Sequence, residues 1–440
     1  MGWEWYETFG MMVGLVLVLM ALGIPVAIAF FAVNIAGAWL FMGGLRGVDQ
    51  FVTNATASIT SFSLVPVPLF LLMGELFFNT GLAKKVFDAL DKLLGGMRGR
   101  LSYLTVGGGT LFATLSGSSM ANTAMLGASL TPDMMARGYK KHMILGPIIA
   151  TGGLAMIIPP STLAVVLGSL ARIDVGALLI AGMIPGLLLA CMFFVTIRLQ
   201  IAIDPDCAPG YVTERAPARE VARDLLLDVA PMGLVIFCVV GLILLGWATP
   251  TESAAFGAMS VIVLAICKRR LTLGAIVRSL RGTLMVSVMM LMIILGSTTF
   301  SQILAFSGAS RGMIEWSTQL GASPYIVLLS MFVVLVILGM FMDQLSIMML
   351  TLPIFIPLVT TYGFDPVWFG IIMLLALEMS LITPPFGLLL FVMVGVGPPG
   401  TSIWEVVRAA IPYLGCTLLL VILLVIFPQI ALWLPAVMLK

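Results

Sequence analysis

The sequence predicts an all-α polytopic membrane protein built from two inverted-topology repeats, each with a re-entrant hairpin and a broken helix. Three observations predict it. Of the 440 residues, 61% are hydrophobic and 10% charged, with a mean hydropathy of +1.16, whereas soluble domains carry about 25% charged residues. Apolar runs of about 20 residues, long enough to cross a bilayer, recur from end to end. Two of them, ATGGLAMIIPPSTLAVV (150–166) and LEMSLITPPFGLLLFVM (377–393), carry a double proline at their centres. Uninterrupted apolar runs exclude a β-barrel, whose strands alternate between lipid and lumen.

Pro159-Pro160 and Pro384-Pro385 lie 225 residues apart, and at that offset Pro25 meets Pro250, Pro132 meets Pro357 and Gly138 meets Gly363. Similar hydropathy around each pair divides the chain into a first repeat, 1–203, a cytoplasmic linker, 204–227, and a second repeat, 228–440. The N-terminus, MGWEWYETFG, lacks the basic residues of a secretory signal. Its Trp3, Trp5 and Tyr6 suit a membrane interface. Crossings follow at about 10–23, 25–42 and 64–82, then a hairpin at 101–130, a broken helix at 143–170 and a last crossing at 176–198. Five crossings is an odd number, so the second repeat inserts upside down, with its hairpin at 324–358 and its broken helix at 367–395.

Charge supports that orientation. Lys84, Lys85, Lys92, Arg98 and Arg100 place the loop after the third crossing in the cytoplasm. Arg137, Lys140 and Lys141 return the end of the first excursion to the same side, which makes it a re-entrant hairpin. In the second half, Lys268, Arg269, Arg270, Arg278 and Arg281 mark a cytoplasmic loop, whereas its counterpart GGLRGVDQ is assigned to the periplasm. The second hairpin is flanked by GASPY and TTYGFDP, with no basic residue, and enters from the periplasm. Only Arg46, Arg172, Arg311 and Lys440 then lie outside, against the other 18 of the 22 basic residues.

A helix broken inside hydrocarbon leaves backbone groups unpaired, which is tolerated where the break lines a protein cavity. The proline pairs remove N–H donors, and Gly152-Gly153 let carbonyls turn from the helix axis. A packing kink is the plainer reading of one such helix. Two at equivalent positions, each beside a hairpin, point to the midplane site of a secondary transporter. The hairpin tips supply polar groups: Ser116, Gly117, Ser118, Ser119 and Asn122 in the first, Gly339, Asp343, Gln344 and Ser346 in the second. Such oxygen-rich tips suit a hard cation such as sodium. The intramembrane acids Glu75, Glu252, Asp343 and Glu378 are each an ion ligand, a proton carrier or a buried anchor, and a proton-coupled mechanism stays open.

Other features read plainly. The five cysteines form no CxxC and serve as small buried hydrophobes, and the 31 methionines are packing material. His142 is a solvated residue at a cytoplasmic helix end. LAKKVFDALDKLLGGMRGR is amphipathic and lies along the cytoplasmic interface. TERAPAREVARD is a solvated linker and no nucleic-acid patch.

Five motifs together carry a resemblance over essentially the whole chain: LFLLMGELFFNTGL (69–82), SGSSMANTAMLG (116–127), GGLAMIIPPS (152–161), ATPTESAAFGA (248–258) and EMSLITPPFG (378–387). The chain resembles the large membrane subunit of tripartite ATP-independent periplasmic (TRAP) transporters. That resemblance implies an elevator-type importer of the bacterial inner membrane. A periplasmic substrate-binding protein would deliver an organic acid, such as a C4-dicarboxylate, sialic acid or another carboxylate. A separate small four-helix membrane subunit would brace the scaffold, and a sodium gradient would drive transport. Mapped onto this sequence, sodium ions fall to Ser116, Ser118 and Gly152 on one side and Gly339, Asp343 and Thr383 on the other. Substrate falls to Ser119, Asn122, Ser161, Gln344 and Ser346. With no midplane Arg or Lys, the carboxylate is left to helix N-termini, hydroxyls and co-bound sodium. The alternative is a stand-alone proton- or sodium-coupled anion transporter of similar hairpin architecture, needing no binding protein. One His and no HExxH argue against a membrane enzyme, and opposed halves argue against a passive channel.

Overall fold

The computed structural model describes residues 4–94, 97–209, 217–385 and 387–438. Trp3, Lys440, the side chain of Lys84 and positions 210–216 of the linker lie outside the described residues. The first half forms α1 (Trp5–Ala21), α2 (Val26–Phe41), α3 (Leu45–Ile59), α4 (Pro66–Asn79), α5 (Leu82–Leu94), α6 (Arg100–Ser116), α7 (Ser119–Ala136), α8 (Lys141–Leu154), α9 (Thr162–Ala171) and α10 (Val175–Ile203). The second half forms α11 (Arg219–Leu244), then α12 (Pro250–Cys267), α13 (Leu273–Phe306), α14 (Ala309–Gln319), α15 (Pro324–Gly339), α16 (Gln344–Thr361), α17 (Pro366–Ile382), α18 (Leu388–Val396), α19 (Ile403–Ile426) and α20 (Gln429–Met438). Among the described residues, seven helices are long and apolar enough to cross a membrane, by length and composition.

Several elements of the two halves repeat at the 225 offset, while α13 spans the equivalents of both α3 and α4. α16 begins and ends 225 residues after α7, and α17 begins 225 residues after α8. Both double prolines hold a cis peptide. The expected hairpins are the pairs α6–α7 and α15–α16, and the broken helices are α8–α9 and α17–α18.

Packing separates two bodies. A frame contains α1 to α4 and α12 to α14, with α13 laid against α2, α3 and α4. Polar side chains fasten it where apolar contact gives no advantage over lipid. Asn34 Nδ2 donates to Gly296 O at 2.7 Å, Asn54 Nδ2 to Gln302 Oε1 at 2.6 Å, and Ser58 and Thr298 share a hydrogen bond of 2.7 Å. A core body contains α6 to α10 and α15 to α20. At its centre, α8 is buried from Met143 to Leu154 and α17 from Trp368 to Leu377, as expected of helices apolar all round. The two bodies meet where α4 and α13 face α6, α9 and α16.

The cytoplasm-assigned ends are tied by ion pairs. Lys140 bonds Asp204 at 2.5 Å, and that bond holds the Asp204 carboxyl below its usual range. Lys141 reaches Glu405 at 2.8 Å. The segment expected to be a solvated linker is helical from Arg219, and its Glu220 and Asp224 take Lys92 of the amphipathic α5 at 2.8 and 2.6 Å. Opposite charges on facing amphipathic helices give that segment a docking surface.

Candidate functional site

The first hairpin turns at Gly117, whose φ of 57° lies in the left-handed region that glycine adopts readily. Ser118 caps α7, accepting from Ala121 N at 3.4 Å. Thr162 Oγ1 donates to Gly117 O at 2.8 Å, which ties the tip to the break behind it. In that break the last turn of α8 tightens, Ala155 N donating to Gly152 O and Met156 N to Gly153 O. The released carbonyl of Thr151 accepts from Asn122 Nδ2 at 3.0 Å. Ser161 then caps α9 through Ala164 N at 3.1 Å. A Cβ on Gly152 would overlap Thr123 Oγ1 and stand 3.2 Å from Ser119 O. Only glycine lets the tip and the break touch here.

This tip is left chemically open. Ser116 Oγ, Ser119 Oγ, Asn122 Oδ1 and Thr123 Oγ1 are buried and have no hydrogen-bond partner. Each such group costs about 1–3 kcal/mol, so four in and behind one turn are not accounted for by packing alone. Oxygens from hydroxyls and an amide are the donor set a hard monovalent cation takes.

The second tip has the same shape and closed valences. Asp343 caps α16, accepting from Leu345 N at 3.1 Å, from Ser346 N at 3.2 Å and from Ser346 Oγ. Ser380 Oγ donates to Leu377 O and Thr383 Oγ1 to Met379 O, each at 2.7 Å. A Cβ on Gly339 would overlap Ser380 Oγ. Gln344 Nε2 crosses to Met156 Sδ in the first break at 3.0 Å. Glu378 is 2% exposed. Its carboxyl lies against Gly153, its equivalent at the 225 offset, where any Cβ would collide with it.

Between the core body and the frame lies a cavity of about 760 Å³. Its core side is lined by Ser116 to Ala121, Thr162, Asp343 and Gln344, and its frame side by Pro25, Glu75, Asn79, Arg278, Met289 and Ile293. Of the substrate candidates, Ser119 and Gln344 line it, while Asn122, Ser161 and Ser346 are buried behind it. Of the sodium candidates, Ser116, Ser118 and Asp343 line it. Gly152 sits behind the first tip, and Gly339 and Thr383 lie in the helix packing of the second half.

Thr123 escaped the sequence reading, although its spacing of four from Ser119 puts both hydroxyls on one helix face. Arg278 was assigned to a cytoplasmic loop and instead lies within α13 on the cavity wall. At 34 residues, α13 runs about 50 Å, well beyond the hydrocarbon thickness, so its first turns carry charge without entering the apolar layer. Glu252 stands in the first turn of α12, in a capping box with Thr249.

Residues 13–430 match the family described as tripartite ATP-independent periplasmic transporter, DctM component. The C4-dicarboxylate TRAP transporter large permease protein DctM of Pseudomonas aeruginosa is 34% identical over 378 residues, 85% of this chain and 86% of the relative. The sialic acid TRAP transporter large permease protein SiaM of Vibrio cholerae is 28% identical, over 94% of this chain and 95% of the relative. Among solved structures, the YdaH transporter of Alcanivorax borkumensis has a TM-score of 0.62, covering 87% of this chain and 89% of its own, at 16% identity; that likeness concerns the fold. Punctuation, hairpins and matched length agree: the chain belongs to the DctM family of tripartite ATP-independent periplasmic transporters, a family of permeases and not of enzymes.

Proposed function

We propose that this chain imports an organic carboxylate across the bacterial inner membrane, driven by sodium, by an elevator movement of the core body against the frame. The observation that carries this reading is the open valence of the first tip: four buried oxygens without partners, beside a cavity shared by both bodies. Sodium bound by Ser116, Ser119, Asn122 and Thr123 would satisfy them together. Gly152 and the Thr162–Gly117 bond hold the break against those ligands, so cation binding stiffens the tip that faces the substrate. Substrate then rests on Ser119 and Gln344 with the N-termini of α7 and α16 pointing at it, an arrangement that favours anions. A site made of hydroxyls and helix ends binds weakly, which suits capture by a periplasmic binding protein. A small four-helix membrane subunit covers part of the lipid-facing frame. The hairpins enter from opposite sides, and α13 slides past α16 and α9 as the core body moves.

Uptake of labelled dicarboxylates into proteoliposomes holding this chain and its small subunit tests the reading. The expected result is uptake that needs both an inward sodium gradient and the binding protein. Uptake driven by protons without the binding protein would overturn it and turn attention to Glu378.

A further inference from the structure

We propose that Arg278 is a second carboxylate site, on the frame, which receives the substrate's carboxylate on the cytoplasmic side of the hairpin tips. The inference rests on the importer reading and extends it to release. Among the described residues lining the cavity, Arg278 is the only cation, and the core-body wall has none. Its setting is built. Asn79 Nδ2 donates to Glu75 Oε2 at 3.0 Å, to Glu75 O at 2.9 Å and to Ser279 Oγ at 3.2 Å, which turns the amide oxygen outward. That oxygen accepts from Arg278 Nε at 3.3 Å. Glu75 is itself held against Gly282 of α13, where a Cβ would come 2.7 Å from its carboxyl carbon. Asn79 thus stands between acid and base, and the described residues give Arg278 no ion pair.

One edge of the guanidinium is fixed and its two terminal nitrogens stay available, the geometry that takes a carboxylate in a fork. Arg278 belongs to the frame and the hydroxyl site to the core body, and in this structure both line one cavity; the proposed elevator movement would part them when the core body faces the periplasm. In the arrangement seen here the anion gains a cation that it would lack when facing the periplasm, and it leaves the hydroxyl site along a path of falling potential. Arg278 could instead reach a lipid phosphate from a helix end. Its contact with Asn79, at an exposed position on the cavity wall, favours the substrate.

The test uses the full chain with its small subunit in nanodiscs, and succinate as the probe. Half-saturation of succinate-induced thermal stabilisation is compared in wild type, Arg278→Gln and Arg278→Lys. The expected loss is about tenfold in the glutamine variant, from one charge-assisted fork, with the lysine variant between. An unchanged melting temperature without succinate shows that the variants are folded. Equal succinate response in wild type and Arg278→Gln, or no response in wild type, overturns the site. So does a variant that loses only its stabilisation by phosphatidylglycerol, which would make Arg278 a headgroup anchor. Uptake runs in parallel: transport with an Arg278-independent succinate response leaves the importer standing without this site. An Arg278-dependent response in a protein that transports nothing leaves the site and removes the importer.

Discussion

The two hairpin tips have one architecture and opposite chemistry. Each turns between a helix end and a capped helix start, and each backs onto a cis double proline. In the first tip four buried oxygens lack partners. In the second, Ser346 bonds Asp343, and Ser380 and Thr383 bond their own helix carbonyls. Repetition therefore conserved the backbone break while the side chains diverged, and an open valence rather than a break distinguishes a ligand site from a packed turn. Among the described residues of the second hairpin and break the exception is Glu378, whose Oε2 is buried without a partner where the two breaks meet.

The sharpest way to break this contrast is Gly152→Ala. The new methyl would occupy the space of Thr123 Oγ1 and crowd Ser119 O. Overpacking of about 1–3 kcal/mol, falling on the ligands themselves, should lower sodium-driven uptake on the order of 100-fold. Wild-type uptake in this variant would show that the first tip binds nothing. Thr123→Val is gentler and more informative, because it keeps the shape and deletes one unpartnered hydroxyl. It should weaken sodium affinity about tenfold while raising sodium-free stability, since a buried unsatisfied group costs about 1–3 kcal/mol. Thermal melts across a sodium titration read both effects. A hydroxyl of purely structural use would give the stability gain without the affinity loss.

Gly339→Ala applies the same insertion to the second tip, where the methyl meets Ser380. Here the contrast predicts a destabilisation of about 1–3 kcal/mol with sodium affinity unchanged, relieved by the double variant Gly339→Ala/Ser380→Gly. A shift in sodium affinity that the double variant restores would place an ion at the second tip as well.

Much of the fold was legible, because helix breaks and caps are written in residue types with strong backbone preferences. Pro159-Pro160, Pro384-Pro385 and Gly117 each locate a feature by themselves. The site was legible only in part. Ser119 and Ser346 are both serines in the first turn after a hairpin tip, yet one hydroxyl is orphaned and the other bonded. The difference comes from what stands at the cap: Ser118 offers a hydroxyl, whereas Asp343 offers a carboxylate that draws Ser346 in. Partnership of that kind depends on neighbours, and no residue type announces it. Arg278 was misplaced for a related reason, since positive charge marks a side of the membrane but does not say whether the side chain faces water, lipid or a cavity.

The caps give the smallest effects and the finest resolution. Ser118 accepts one N–H at 3.4 Å, whereas Asp343 accepts two backbone N–H groups and a hydroxyl. Replacing Ser118 by alanine should cost about 0.5 kcal/mol, the low end for a cap, and replacing Asp343 by alanine about 2 kcal/mol, the high end. Asp343→Asn separates capping from charge. Asparagine caps as well as aspartate does, so stability should hold within experimental error if Asp343 serves only α16. An uptake defect in this variant with an unchanged melting temperature would mean that the carboxylate's charge is used in transport. The second tip would then be a site whose ligand is already bonded to its own helix, and the contrast between the tips would become one of charge instead of open valence.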